Sequence, residues 1–308
     1  MRFGIHNPSF RFEGAPTDLF AGLAARAQWA EENGFVWFSV MDHLIQIPIV
    51  GAPDEPFMEG WTALAGLAAV TRRIRLATLV TSVAYRNPAL LARIAAGVDH
   101  ISRGRLTFGF GAGWFGEEYR QYGYVFPEAP AERIRQMADA VRLIKAMWTE
   151  PRATYQGKYF SVHGAILEPK PTQRPHPPIM IGGSGEQLTL RYVARLANAC
   201  NVFGGPNQVA HKFAVLRRHC EEVGRDYAEI ERTSTISLLL AHDEAGLAAK
   251  RERLQADRFQ GFAGTVAQAK DLIGQYRDVG VQLLISSAWR NDFETQQLLA
   301  AEIIPAFG

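Results

Sequence analysis

The sequence predicts an α/β fold: a single-domain parallel (β/α)8 TIM barrel over residues 1–308, with an insertion hairpin at about 150–178. Three observations carry this. Apolar strand-like runs alternate with amphipathic helical runs about eight times, with short connections, which is the rhythm of parallel strands joined by helices. Runs such as Phe35–Val40 and Ile74–Val80 are apolar on both faces, as strands buried on both sides are. The 308 residues and 47% hydrophobic content suit one closed barrel without a second domain.

The elements follow in order. Arg2–His6 is a short apolar strand ended by Asn7-Pro8. Thr17 or Asp18 caps a helix with Leu19, Leu23, Ala27 and Ala30 at helical spacing, and Gly34 closes it. Phe35–Val40 is the second strand, running into Met41-Asp42-His43 and a loop rich in Pro and Gly. Trp61–Thr71 is a helix, Ile74–Val80 a strand ending in Thr81-Ser82, and Asn87-Pro88 an N-cap and N1 pair for the helix 89–101. The segment Arg105–Tyr124 reads as a strand, a tight glycine turn and a helix start. Pro130 opens a long helix through Trp148. Residues 153–167, with aromatics flanking Gly157, break the rhythm and read as the hairpin. Ile179–Ile181 leads into Gly182-Gly183-Ser184-Gly185, with a helix expected from Glu186. Strands at 199–203, 230–241 and 281–286 alternate with helices at 207–223, 244–259, 265–279 and 293–304.

Composition removes several function classes. The 33 basic and 31 acidic residues are mixed along the chain, so no basic block points to nucleic acid or a membrane surface. No apolar run reaches the roughly 18 residues of a membrane span. The N-terminal MRFGIHNP carries no signal-peptide core, and Cys200 and Cys220 have no metal-type spacing, so a cytoplasmic protein is expected. No histidine has a partner at ligand spacing, and no metal site is expected. P-loop, G-x-S-x-G and H-E-x-x-H motifs are absent. Gly111-Ala112-Gly113-Trp114-Phe115-Gly116 matches G-x-G-x-x-G, but no strand bearing an acidic residue follows at the required distance, which argues against a dinucleotide site.

In a barrel, the strand ends that precede helices converge on one face. That brings together His6-Asn7, Asp42-His43, Thr81-Ser82, Ala112-Gly113-Trp114, Gly182-Gly183-Ser184, Asn201 and Ser286-Ser287. Gly182–Gly185 before a helix N-terminus reads as a phosphate cradle or as a plain turn; its place after the fifth strand departs from the more usual seventh and eighth. Asp42-His43 reads as an acid–base pair, as a contact to a cofactor ring, or as a loop pair held locally. Trp61, Trp114, Phe115 and Tyr119 are candidates for a flat aromatic pocket, Trp148 for the core, and Trp289 for either. Arg86 reaches a carboxylate or phosphate, or lies on the surface.

Several stretches carry a family resemblance: FVWFSVMDHL, RIRLATLVTSVAYRNPALLARIA, ISRGRLTFGFGAGWFGEEYRQYG, ERIRQMADAVRLIKAMW, YQGKYFSV with LEPKPTQRPHPPIMIGGSGE, and GTVAQAKD. Together the chain resembles the luciferase-like monooxygenase superfamily, in its deazaflavin (coenzyme F420)-dependent oxidoreductase branch. The resemblance implies a (β/α)8 barrel, commonly a homodimer, with a tricyclic deazaflavin across the C-terminal face; FMN is the alternative cofactor. It implies cofactor contacts from Asp42, His43, Leu79, Val80, Thr81, Ala112 and Gly113, with a non-prolyl cis peptide at Leu79-Val80. It implies phosphate binding by Gly182, Gly183 and Ser184. Trp114 stands where sugar-phosphate dehydrogenases of this branch carry a glutamate acid, and a tryptophan they carry beyond the histidine is replaced near Ile47. A less polar substrate is therefore expected, with Trp61 and Trp114 on its pocket, His43 moving the proton, and Glu117 or Glu118 as remoter candidates. The expected reaction is hydride transfer between cofactor C5 and a small, relatively apolar organic molecule. The alternatives are FMN-dependent oxygenation and non-catalytic flavin binding.

Overall fold

The computed structural model describes residues 1–12 and 18–307. Eight parallel strands close a ring: β1 (Arg2–Asn7), β2 (Trp37–Val40), β3 (Arg75–Thr78), β4 (Leu106–Gly111), β5 (Ile179–Gly182), β6 (Ala199–Val202), β7 (Glu231–Ala241) and β8 (Leu283–Ala288). Each pairs in parallel with the next, and β8 returns to β1 in the register Phe3–Leu284 and Ile5–Ser286. This is the predicted (β/α)8 barrel.

Side chains alternate between two apolar compartments. Trp37, Ala77, Met180, Ala199, Leu283 and Ile285 fill the barrel lumen. Their strand neighbours, such as Phe38, Leu76, Ile179 and Ile181, pack outward against the helices. Trp37 sets the local shape of the lumen, because a Cβ on Gly4 would lie 2.8 Å from its Cβ. Burying both faces explains why the strands read as nearly continuous apolar runs.

The helices begin where the caps predicted. In α1 (Leu19–Glu32), Asp18 accepts from the Phe20 and Ala21 N–H groups at 3.0 Å. The alternative cap, Thr17, lies outside the described residues. Then come α2 (Gly60–Val70), α3 (Pro88–Ile101) capped by Asn87, α4 (Gly116–Gln121) and α5 (Pro130–Thr149). They are followed by α6 (Thr189–Leu196), α7 (Pro206–Val223), α8 (Glu244–Arg253), α9 (Val266–Asp278) and α10 (Phe293–Leu298). An antiparallel hairpin, Ala153–Gln156 with Ser161–Ala165, sits between α5 and β5. Asp139 on α5 anchors it by accepting from the Tyr155 hydroxyl and the Tyr159 and Phe160 N–H groups.

Of the boundaries that differ from the sequence reading, four have a visible cause or consequence near the site. β2 starts at Trp37 rather than Phe35, because the Phe35 N–H turns back to the Ala30 carbonyl at the end of α1. The third strand is interrupted: Leu79-Val80 is a cis peptide, and pairing with β4 resumes at Thr81–Ser82. α6 begins at Thr189, not Glu186, leaving Gly182–Leu188 as a longer loop. α8 stops at Arg253, followed by Gln255 in the left-handed region (φ 49°); Phe262–Thr265 then adds a short strand beside the outer end of β7.

Candidate active site

The C-terminal ends of β2 to β6 enclose a cavity of about 340 Å³. One wall is the bulge at Leu79-Val80, and the neighbouring strands make room for it with glycines. A Cβ on Gly109 would collide with the Thr78 carbonyl oxygen; one on Gly111 would sit 2.6 Å from Val80 Cγ2, and one on Gly182 3.0 Å from Val80 Cγ1. These glycines serve close approach of backbone to side chain. Gly113 needs its freedom for another reason: it holds φ +77° beneath the Ser82 and Tyr119 hydroxyls, which bond each other.

The cavity has one partly exposed imidazole, His43, and its orientation is fixed from behind. His43 Nδ1 lies 2.8 Å from Glu118 Oε1, and the Leu44 N–H donates to Glu118 Oε2 at 2.9 Å. The Tyr85 hydroxyl also donates to Glu118 Oε1. Burial, then the Glu118 charge, push the Tyr85 pKa far up, so Tyr85 remains a donor. Glu118 is fully buried and accepts from three directions. With Nδ1–H committed to that carboxylate, His43 Nε2 is left as the exchangeable position on the cavity side. Trp114 and Phe115 stand edge-on to the imidazole, with ring centroids 5.8 and 6.2 Å away.

Besides Ser82, Tyr85 and Thr189, two further polar residues reach the lining, Asn201 and Arg133. Asn201 is buried; its Oδ1 accepts from Thr233 and Thr235, and its Nδ2 has no hydrogen-bond partner among the described residues. A buried donor without a partner calls for a ligand acceptor. Arg133 also reaches the cavity, but its guanidinium is bonded to the carbonyls of Gly113, Pro127 and Glu128. It therefore shapes the loop instead of offering a free charge.

The luciferase-like monooxygenase model matches residues 1–293. The chain belongs to that family. Among its relatives, an F420-dependent glucose-6-phosphate dehydrogenase from Kineococcus radiotolerans is 32% identical, over 82% of this chain and 72% of its own. An uncharacterised protein from Mycobacterium bovis is 33% identical over 57% of this chain, and the match spans 65% of that protein's length. A coenzyme F420-dependent tetrahydromethanopterin reductase from Methanopyrus kandleri superimposes with a TM-score of 0.80 over 100% of this chain and 99% of that one, at 21% identity, which speaks to the fold alone. An FMNH2-dependent dimethylsulfone monooxygenase from Pseudomonas putida matches as well, 31% identical over 51% of this chain and 42% of its own.

Against this luciferase-like scaffold, the structure gathers His43, Leu79, Val80, Ala112, Gly113, Trp114, Gly182 and Gly183 on one cavity. It places four other predicted residues elsewhere. Asp42 is buried and turned to Arg86, which grips it with two bonds of 2.7 and 2.9 Å and also pairs with Glu59. Burial raises the Asp42 pKa, and the bonds to Arg86 oppose that rise. Thr81 is buried, bonded to Thr78 Oγ1 and to the Trp61 indole N–H. Trp61 is only 2% exposed and packs on Phe108, behind the wall it was expected to face. Ser184 Oγ accepts the Phe203 N–H at 3.2 Å. Sequence reasoning missed Tyr85 and the place of Glu118 as the partner of His43. α4 has only six residues, too few for periodicity to single out Glu118 from Glu117. Asn201 was legible only as a polar strand end. Among the described residues, no cluster that could hold a metal occurs, and no helix is long and apolar enough to cross a membrane.

Proposed function

We propose that this chain is an oxidoreductase that binds deazaflavin coenzyme F420 and moves hydride between it and a small, relatively apolar organic substrate. The observation that carries the reading is the single imidazole held by Glu118 and Tyr85 on the rim of an otherwise largely apolar cavity. A relative that covers 82% of this chain and is named F420-dependent supports the choice of cofactor. The residues fit a flat tricyclic ring: Leu79-Val80 supply an apolar shelf, the glycines keep the opposite strands low, and Asn201 Nδ2 offers a donor in want of an acceptor. Gly182 and Gly183 are the expected approach for the cofactor's phosphate, through backbone N–H groups.

When bound, reduced F420 supplies a hydride. The protein's part is binding, orientation and the proton. His43 Nε2 donates or accepts the proton that accompanies the hydride, while Glu118 keeps Nδ1–H in place. Trp114, 59% exposed, stands at the mouth where a sugar-phosphate enzyme of this branch would present a carboxylate, and it makes the entrance apolar.

The test is a titration of the purified protein with F420 and, separately, with FMN, following tryptophan fluorescence. Micromolar or tighter F420 binding with much weaker FMN binding is expected. The second reading, FMN-dependent oxygenation, has the FMNH2-dependent relative in its favour. Tighter FMN binding with oxygen consumption would replace the first reading by the second. In the F420 reading, His43→Ala leaves cofactor binding within about threefold and lowers turnover by at least about 100-fold. Unchanged turnover would remove His43 from the mechanism.

A further inference from the structure

A second cavity, about 220 Å³, opens at the same end of the barrel, between β1, β2, β7 and β8. Phe203 lines both cavities and is half exposed between them. The walls of the second are chiefly apolar, from Met41, Ile47, Val50, Phe259 and Trp289. Its buried polar groups are His6, at the end of β1, and Ser287, at the end of β8.

The bonding of His6 is asymmetric. Nδ1 lies 3.1 Å from Ser39 Oγ on the paired strand, in register with it. Ser39 has one hydroxyl proton, and it is directed to the Ile5 carbonyl at 3.4 Å. Ser39 therefore accepts from His6 Nδ1–H. Nε2 carries the lone pair and has no protein partner among the described residues. Burial, and then the proximity of His43, lower the imidazole pKa to about 4, so the ring is neutral near pH 7. Among the described lining residues the one full charge is Arg290, which is exposed at the rim beside Trp289 and 3.4 Å from Gln255 Oε1.

We propose that this second cavity is the substrate subsite, that His6 Nε2 is its fixed hydrogen-bond acceptor, and that it takes uncharged molecules with an apolar body and one hydroxyl or amide N–H donor. The substrate class rests on the hydride-transfer reading of the neighbouring cavity; the binding site does not. The hydroxyls of Thr235, Ser237 and Ser287 and the Gln260 amide on the same lining can donate or accept, whereas His6 Nε2 can only accept, so it rewards a donor and is left unpaired by an ether or a hydrocarbon. A phosphate finds no buried cation there. His6 acts on recognition and His43 on proton movement, so the two imidazoles divide the work.

Benzyl alcohol, benzyl methyl ether and benzyl phosphate serve as probes in ligand-observed NMR on the protein without cofactor. The alcohol is expected to bind at least about fivefold tighter than the ether, the worth of one ordinary hydrogen bond, and the phosphate weakest. His6→Phe removes that preference while F420 affinity stays within about threefold. Equal binding of alcohol and ether to the native protein, or a preference that survives His6→Phe, overturns the assignment. A measurement on the unaltered protein covers the case in which the variant misfolds. Nitrogen-15 histidine spectra at pH 7 should show His6 protonated on Nδ1 alone, with the Nε2 resonance moving on addition of benzyl alcohol. A proton found on Nε2, or a resonance indifferent to the alcohol, overturns it equally. Alcohol preference in a protein that binds no F420 would support the subsite and sink the cofactor reading alone.

Discussion

At the scale of single residues, the site depends on carboxylates that never meet the cavity. Glu118 is the clearest case: fully buried, it bonds Tyr85, Leu44 and His43, and of these His43 and Tyr85 reach the cavity lining while Glu118 does not. Glu118→Gln keeps the volume and removes the anion, so the imidazole loses the partner that fixes its tautomer. Turnover should fall by about 10- to 100-fold, while F420 affinity stays within about twofold, because no cofactor contact changes. The pH profile of turnover should shift with it, which a purely structural loss would not produce. His6 gives a second expectation, in stability. Its pKa is about 4 folded, against 6.5 when unperturbed, so between those values the unfolded chain binds more protons. Stability attributable to His6 is therefore complete above pH 6.5 and is lost as pH falls toward 4, by about 2–3 kcal/mol at pH 4.5. Urea unfolding of the native protein and of His6→Gln at pH 7 and pH 4.5 should show a smaller acid loss in the variant; equal losses would mean that His6 is not buried in its neutral form.

At the scale of elements, the glycine-rich strand shows where local pattern was informative and where it was not. Gly109, Gly111, Gly113 and Gly116 announced a close approach, and the sequence placed it at the C-terminal end of β4. What approaches could not be read from the strand itself: Gly109 meets the Thr78 carbonyl and Gly111 meets Val80, each 31 residues earlier and delivered by the neighbouring strand. Gly109→Ala puts a Cβ into the Thr78 carbonyl, and backbone cannot step aside as a flexible side chain can. A loss of about 3 kcal/mol or outright misfolding is expected. Gly97, in the exposed middle of α3, is the control. A Cβ there meets nothing within 4 Å, and Gly97→Ala should gain roughly 0.5–1 kcal/mol by helix propensity. Thermal melts of the two variants should move in opposite directions. The same contrast explains which boundaries were legible. Asp18 and Asn87 cap through their own side chains and were found in the sequence. The start of α6 has no side-chain cap and was placed three residues early.

At the scale of the molecule, the strand–helix rhythm was enough to give the barrel, since eight apolar strands with short connections have few other ways to bury both faces. The rhythm also named the face on which the strand ends meet. It did not show that the face divides, with β2 to β6 around one cavity and β1, β2, β7 and β8 around another. That division depends on where Phe203, Asn201 and His6 point, which periodicity does not encode. It also has a thermodynamic consequence. A ligand that binds only the folded chain at a hundredfold excess over its Kd adds about 2.7 kcal/mol, which for a chain of this size raises Tm by roughly 5 °C. F420 should produce that shift and FMN, at equal concentration, a smaller one. Benzyl alcohol should add its own increment on top of the F420 shift, because the cavities meet only at the end of β2 and share only the residue Phe203. If the alcohol shifts Tm alone but not in the presence of F420, the two ligands compete, and the cavities behave as one site in solution. Additive shifts would instead fix the division of labour across the barrel mouth, with cofactor on the β2–β6 side and substrate on the side of β1, β7 and β8.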